Sequence, residues 1–394
     1  MGTAGACPPP PEGRPAGAPA EHDAWTPAER DAMARALDAA RLGPRGANPL
    51  VGAAVLIDDE IVAVGHHRGA GTPHAEVDAI AAARRAGADL TRAQLLVTLE
   101  PCSHTGRTPP CTRAILEAGI PRVIHAIDDP NPQAATGAHA LRSAGVEVCS
   151  GLLAAEATAL NARWLECARS RRPFVTAKTA MTLDGRIAAA DSTSQWITGP
   201  AARAQGHALR ARVDAILVGS GTLAADNPRL TARLDGEPAA QHSAAHQEAT
   251  QQPSAQHPTA QQPTPHQPLR CVMGLRPVPA TAALRADDNW LHLPTRDPRQ
   301  ALATLADRGV GHVLIEGGAT VLTSFLVADL VDELLVHLGP LLLGAGRSAV
   351  GDLGVSTLAD AHRFHPDGAP ALLGEDLVMR YIAAPANPIP ADHR

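Results

Sequence analysis

Short apolar runs alternate with helix-patterned stretches along both halves of this chain, and that alternation leaves few architectures open. Residues 51–57 and 61–64 are apolar runs split by Asp58-Asp59-Glu60, which predicts a hairpin. Residues 95–99 and 122–127 have the composition of buried strands. A first helix is expected at Thr26-Pro27-Ala28-Glu29, where Thr26 caps, Pro27 suits the first position and Glu29 completes a capping box. Met33, Leu37 and Ala40 give it one apolar face, and Gly43-Pro44 ends it. Further helices are predicted from His74 to Gly87 and over 112–118. Strands alternating with helices imply an α/β layered domain with a mainly parallel sheet, ending near Gly151. Residues 152–170 read as one linking helix, with the break marked by Pro173. The second half repeats the alternation, with strands expected at 174–182, 213–219, 269–273, 312–315 and 333–338.

Two stretches fall outside that pattern. Residues 1–24 contain six Pro, four Gly and no Val, Ile, Leu or Phe; residues 236–268 hold eight Gln, six Pro and four His. Neither buries enough apolar surface to offset the entropy of ordering it. The expected organisation is a disordered tail (1–24), a first domain (25–151), a linking helix (152–172) and a second domain (173–394) carrying a disordered insert (236–268). Histidines scattered irregularly among Gln and Pro suit a linker better than a metal tract.

Composition excludes several function classes. A formal charge of −6 with no dense Lys/Arg run, and only four Trp, three Phe and one Tyr, argue against a nucleic-acid partner. No apolar run approaches the ~18 residues that cross a bilayer, and no basic-then-apolar leader opens the chain. Six cysteines are no disulfide framework, so a reduced, cytoplasmic setting is expected, with Cys7, Cys149, Cys167 and Cys271 as free thiols. These features suit a small-molecule substrate, no membrane and no nucleic acid, and are compatible with a homo-oligomer.

The strongest chemical signal is His74-Ala75-Glu76 followed by Pro101-Cys102 and Cys111. One imidazole and two thiolates fill three positions of a tetrahedral Zn²⁺ and leave the fourth for water. This order of residues is the zinc-deaminase signature, in which the Glu is no ligand but moves protons. Glu76 therefore reads as general acid–base. A structural zinc with His104 as fourth ligand is the alternative. Eight residues separate the cysteines, against the two of that signature. They form a Gly- and Pro-bearing loop whose His104 and Arg107 suit an anion such as phosphate.

In the second half, Lys178, Asp226 and Glu316 are polar residues at strand ends, where α/β sites collect, though from the residues alone strand-end salt bridges are the favoured explanation. Glu316-Gly317-Gly318-Ala319-Thr320 follows a strand and opens a helix, which lets backbone N–H groups approach a phosphate. No Gly-x-Gly-x-x-Gly follows any strand, so a nicotinamide cofactor requires another fold.

The run from Val97 to Cys111 (VTLEPCSHTGRTPPC) resembles the deaminase signature of the bifunctional riboflavin-biosynthesis deaminase–reductase family. So do Gly71-Thr72-Pro73-His74-Ala75-Glu76-Val77, Asp129-Pro130-Asn131-Pro132, and Asn48-Pro49 with Val51-Gly52. The similarity continues through Leu183-Asp184-Gly185-Arg186, Ser194-Gln195-Trp196-Ile197-Thr198, Asp226-Asn227-Pro228, Glu316-Gly317-Gly318 and the Leu-Leu-Gly at 342–344, covering roughly 26–380.

That resemblance implies a cytidine-deaminase-like three-layer α/β/α domain followed by a dihydrofolate-reductase-like α/β domain. It implies zinc-dependent deamination of 2,5-diamino-6-(5-phosphoribosylamino)pyrimidin-4-one, then NADPH-dependent reduction of the ribose to a ribityl chain. Asn48, His67, Asp129 and Asn131 would surround the pyrimidine and ribose, and His104 and Arg107 the phosphate. Lys178 and Asp226 would handle protons during reduction. Ser194, Arg210, Leu230, Arg233 and Glu316 would bind the second substrate. Ala180, Trp196, Thr222, Asp226, Gly318, Ala319, Thr320, Val321, Leu322, Thr323 and Ser324 would contact NADPH. Two departures stand out: Ala47 replaces the first Pro of the family's Pro-Asn-Pro, and the 236–268 insert begins just after Arg233.

Overall fold

A computed structural model describes residues 25–104, 108–131, 136–233 and 266–384. Arg107, Cys7 and the 1–24 tail lie outside them, as does the insert up to residue 265. The chain divides into two compact units between Arg172 and Pro173.

The first unit runs α1 (Pro27–Ala40), β1 (Gly52–Ile57), β2 (Glu60–His66), α2 (Ala75–Arg85), β3 (Gln94–Leu99), α3 (Cys111–Ala118), β4 (Arg122–Ile127), α4 (Gly137–Ser143), β5 (Glu147–Ser150), α5 (Ala154–Leu160) and α6 (Ala162–Ser170). The expected capping box is present: Thr26 Oγ1 accepts the Glu29 N–H and Glu29 accepts the Thr26 N–H. The strands are apolar on both faces because both are covered. Ala53, Val55, Leu95, Val97 and Val123 meet α2, α3 and α4, whereas Ala54, Leu56, Leu96 and Ile124 meet α1 and α5. Three layers result.

The sheet order is β2-β1-β3-β4-β5. It is mixed, not mainly parallel: β1 pairs antiparallel with both β2 and β3, while β3, β4 and β5 run parallel. A hairpin at the edge of the sheet reverses β1, and nothing local in its sequence reports the neighbour it will take. The single linking helix is also corrected. Two helices meet at Asn161, and both belong to the first unit. Cys149 is disulfide-bonded, contrary to the free thiol expected, because pairing is not legible from spacing; Cys167 and Cys271 are free and buried.

The second unit contains β6 (Phe174–Thr182), β7 (Arg186–Ala188), α7 (Pro200–Arg210), β8 (Ala215–Gly219), α8 (Ser220–Asp226), β9 (Leu269–Met273), β10 (Trp290–Leu293), α9 (Pro298–Ala306), β11 (His312–Glu316), α10 (Ala319–Val327), β12 (Glu333–Gly339), β13 (Arg347–Ser348), β14 (Phe364–Pro366), β15 (Ala371–Leu373) and β16 (Asp376–Ala383). All five expected strands are present, and β7, β10 and the C-terminal strands are additions. The main sheet has the order β10-β9-β8-β11-β6-β12-β16-β14, with β15 also paired to β16. From β10 to β12 neighbours are parallel; β16 is antiparallel.

Register positions the chemistry. Val175 and Ala177 of β6 face an apolar cluster with Val313 and Ile315 of β11, covered by α9 and α10. The intervening positions face the other way, where Glu316 is opposite Lys178 and His337 is opposite Ala180. Both faces of this sheet carry core, the second through Ile216, Val218, Val272 and Leu314, and polar groups gather on that second face at the strand ends.

Candidate active sites

In the first unit the turn after β3 and the starts of α2 and α3 converge. His74 is the N-cap of α2, and Cys111 opens α3. Cys102 Sγ lies 3.5 Å from Cys111 Sγ, and His74 Nδ1 lies 3.2 Å from Cys111 Sγ and 3.5 Å from Cys102 Sγ. Around a tetrahedral zinc the S···S edge is about 3.8 Å and the N···S edge about 3.6 Å. The three donors thus fit the ion with shifts of a few tenths of an ångström. His74 Nε2 is 3.1 Å from Thr108 Oγ1, which fixes the ring with Nδ1 toward the thiols. The backbone N–H of Cys111 donates to Cys102 Sγ, and hydrogen bonds from Cys111 and His74 hold the Cys102 thiol well below its usual range. Glu76, in the first turn of α2, is 3 % exposed and reaches the Cys111 thiol. Burial pushes its carboxyl up to about 6.

The other first-unit residues fall around this centre. His67 is buried; its ring is edge-on to His74 with centroids 5.3 Å apart, and its Nδ1 is 3.3 Å from the Pro73 carbonyl. Burial lowers its pKa, which favours the neutral ring. Asp129 is half-buried with its carboxyl raised by burial, close enough to Glu100, His104 and Cys102 to feel their charges. The Asn131 N–H donates to Asp129 in an Asx turn at 2.8 Å, the turn chemistry this motif carries in any protein. Asn48 is half-buried and His104 exposed. Glu100 was not singled out by sequence reasoning: its buried carboxylate accepts the Ala138 N–H at 2.9 Å and the Asp129 N–H at 3.4 Å. It ties the Asp129 turn to the start of α4. Gly137 completes that tie, since a Cβ there would sit 1.7 Å from the Pro101 carbonyl oxygen.

In the second unit an ion cluster forms at the strand ends, on the sheet face turned away from α9 and α10. Glu316 Oε2 accepts from Arg210 Nε at 2.8 Å and Nη2 at 2.6 Å, and its Oε1 is 3.8 Å from Lys178 Nζ. Burial lowers the Lys178 pKa; the two cations hold the Glu316 carboxyl below its usual range. His207, one turn before Arg210 on α7, contacts Arg233 Nη2 through Nε2 at 3.1 Å, and burial beside Arg210 and Arg233 drives its pKa down to about 4. The insert therefore does not remove Arg233 from the cluster. Sequence reasoning missed His207, although Arg203, His207 and Arg210 share one helical face by spacing.

The cytidine and deoxycytidylate deaminase zinc-binding region matches residues 27–127, and the RibD C-terminal domain matches 173–368. The riboflavin biosynthesis protein RibD of Mycobacterium tuberculosis H37Rv is 42% identical over 340 residues, spanning 85% of this chain and 91% of the relative. This chain belongs to the RibD family. The Escherichia coli K12 RibD is 39% identical over 348 residues, covering 84% of this chain and 93% of the relative. Among solved structures, Acinetobacter baumannii RibD superposes with a TM-score of 0.66 at 32% identity, covering 91% of this chain and 99% of that one. A Thermotoga maritima diaminohydroxyphosphoribosylaminopyrimidine deaminase/5-amino-6-(5-phosphoribosylamino)uracil reductase gives 0.61 at 30%, with the same coverage. RibD proteins join a zinc-dependent deaminase to an NADPH-dependent reductase of riboflavin biosynthesis, and this chain carries both parts.

Of the cofactor residues expected from the RibD resemblance, Thr222 and Gly318 follow the C-terminal ends of β8 and β11, and Ala180 lies near that of β6. Gly317 and Gly318 take φ of 74° and 82°, and a Cβ on Gly318 would come within 2.7 Å of Thr222 Oγ1. That close backbone, followed by the uncapped first turn of α10 at Ala319 and Thr320, fits the phosphate end of a dinucleotide. Val321 and Leu322 are buried in the core, so their side chains are unavailable. The Thr323 and Ser324 hydroxyls donate to the Ala319 and Val321 carbonyls. What α10 can offer is its N-terminal backbone and Thr320, rather than the whole run to Ser324. Leu230 is likewise a core residue, at a φ of 57°. Trp196 is 64% exposed with the Arg203 guanidinium 4.3 Å over its ring, which rules out a core role. Ser194 and Ala180 are half-buried. Asp226, the exposed last residue of α8, is not drawn into the Lys178 cluster; partial burial raises its carboxyl, with Arg347 opposing. Asp184 accepts the Leu343 and Gly344 N–H groups, joining the Leu-Asp-Gly-Arg and Leu-Leu-Gly motifs.

Proposed function

We propose that this chain releases the 2-amino group of 2,5-diamino-6-(5-phosphoribosylamino)pyrimidin-4-one as ammonia, then reduces the ribose of the product to the ribityl chain. The observation that carries the reading is the tetrahedral spacing of His74 Nδ1, Cys102 Sγ and Cys111 Sγ, with the Glu76 carboxyl buried against them. Zinc on these ligands supplies an activated water, and NADPH supplies hydride. Glu76 would take a proton at its carboxylate and pass it to the ring nitrogen, then carry a second, from the added oxygen, to the departing amine. Asn48, His67, Asp129 and Asn131 hold the pyrimidine and ribose, while His104 and Arg107 hold the phosphate.

In the second unit Lys178 Nζ, its pKa lowered by burial and balanced by Glu316, is the proton-handling group, with Asp226 as the second. Arg210 and Arg233 suit the phosphate, Ser194, Glu316 and the Leu230 backbone the ribosyl chain. Ala180, Trp196, Thr222, Gly318, Ala319 and Thr320 line the cofactor. The deaminase domain, expected at 25–151, takes in α5 and α6 of the 152–172 segment, and the reductase spans 173–394. Among the described residues no helix is long and apolar enough to cross a membrane. A cytoplasmic enzyme acting on a small molecule, without nucleic-acid or membrane partner, is the setting that suits it; a homo-oligomer is compatible with it.

The test is a coupled assay on zinc-loaded protein. Ammonia release without NADPH, followed by near-stoichiometric NADPH loss after its addition, is the expected result. Ammonia without NADPH loss refutes the reductase half. Neither signal, with zinc bound, refutes the substrate.

A further inference from the structure

We propose that Asn161, at the break between α5 and α6, is a positioning residue for deamination, holding the segment around Asn48 in its binding shape. Asn161 is 1% exposed. Its Oδ1 accepts the Leu50 N–H at 2.9 Å, and its Nδ2 donates to the Leu50 carbonyl at 2.9 Å. One side chain thus satisfies both backbone groups of a buried residue, as a neighbouring strand would. Asp lacks the donor and Leu lacks both groups, so neither close substitute can do this.

The break is built around that contact. The Asn161 N–H closes α5 on the Ala157 carbonyl at 3.2 Å, and its carbonyl accepts the Leu165 N–H at 2.8 Å, opening α6. From either side of the junction two more bonds reach the same segment. Arg45 Nη1 donates to the Leu160 carbonyl at 3.0 Å, and Trp164 Nε1 donates to the Ala47 carbonyl at 3.1 Å. Residues 45, 47 and 50 are therefore fixed, and Asn48 lies between them. Just beyond, the Val51 carbonyl accepts the His67 N–H at 3.0 Å, which continues the connection to the ring beside His74. The helices that read as a linker are thus part of the deaminase machinery.

The inference rests on Asn48 binding the pyrimidine substrate. The experiment uses the full zinc-loaded chain and compares Asn161→Asp, Asn161→Leu, Trp164→Phe and Asn48→Ala. Deamination KM and kcat, zinc content, and NADPH-dependent turnover of supplied deaminated substrate are measured. Both Asn161 variants are expected to raise the deamination KM about 10- to 100-fold. Zinc, kcat and reductase turnover stay near wild type, and Trp164→Phe shifts KM less in the same direction. A raised KM in Asn48→Ala with an unchanged KM in Asn161→Leu overturns the positioning role alone. Loss of zinc and kcat together in Asn161→Leu overturns it too, since that is a structural defect. An unchanged KM in Asn48→Ala overturns the assignment of Asn48 and this role with it. If the Asn161 variants do not fold, an unchanged KM in Trp164→Phe overturns the proposal.

Discussion

Replacing Glu316 by Gln keeps the shape of the reductase cluster and removes its only carboxylate. Arg210 and Lys178 then face each other on a largely buried surface; Glu316 itself is 11% exposed. Breaking a buried ion pair by removing one partner costs about 3–5 kcal/mol. In a unit of this size that lowers the melting temperature by roughly 6–20 °C, at about 2–4 °C per kcal/mol. The pH dependence has a worked sign. The folded-state pKa of Glu316 is depressed, so its contribution is present above the ordinary carboxylate range and is lost as pH falls through the folded value. The folded-state pKa of Lys178 is also depressed, so the unfolded chain binds more protons between the two values and stability rises with pH there. Without Glu316 the Lys178 pKa falls further, so that rise begins at lower pH and is larger in total. The wild-type advantage is therefore largest near neutrality and shrinks in both strong acid and strong alkali. Calorimetry of both proteins from pH 3 to 10, beside NADPH-oxidation kinetics, reads it out. Equal melting temperatures at pH 7 would refute the reasoning, since a cluster that loses its anion at no cost was never desolvated.

The other predictions test individual groups. Glu76→Gln keeps full zinc by metal analysis and lowers deamination kcat about 10²- to 10⁴-fold, because only the proton carrier is gone. Cys111→Ser lowers bound zinc and ammonia release together, while NADPH-dependent turnover of supplied deaminated substrate continues. Gly318→Ala strains a φ of 82° and drives a Cβ toward Thr222 Oγ1; at about 1–3 kcal/mol it raises the KM for NADPH roughly 5- to 150-fold, read in reductase kinetics.

Features decided by neighbours in sequence were legible, and features decided across the fold were not. Thr26 and Glu29 declare a helix start in four residues, and the hairpin at Asp58-Asp59 is equally local. The zinc ligands were legible because only certain side chains bind that ion, whatever brings them together. The antiparallel placement of β1 is a pairing choice made 40 residues away, at β3. The break at Asn161 was hidden in an alanine-rich stretch, since its cause is Leu50, 111 residues earlier. β16 was missed because polar Arg380 interrupts its apolar run, and that arginine is explained only by Glu333 on β12, 3.1 Å away. In the reductase, single residues such as Lys178 and Glu316 could be named, but their meeting depends on the β6–β11 register. The run to Ser324 was read as one binding stretch, whereas helical geometry turns the side chains of Val321 and Leu322 into the core.

The last strand has a practical consequence for handling the protein. β16 covers the outer side of β12 along six residue pairs and is itself flanked by β14 and β15. Its first residue, Asp376, accepts the Gly199 N–H at 2.7 Å and so also holds the start of α7, the helix that carries His207 and Arg210. A chain shortened to residue 368, where the similarity to the RibD C-terminal domain stops, leaves β12 as a bare edge with unpaired backbone groups. Such an edge is a template for sticking to other chains, so the shortened protein is expected to precipitate before its chemistry can be assayed.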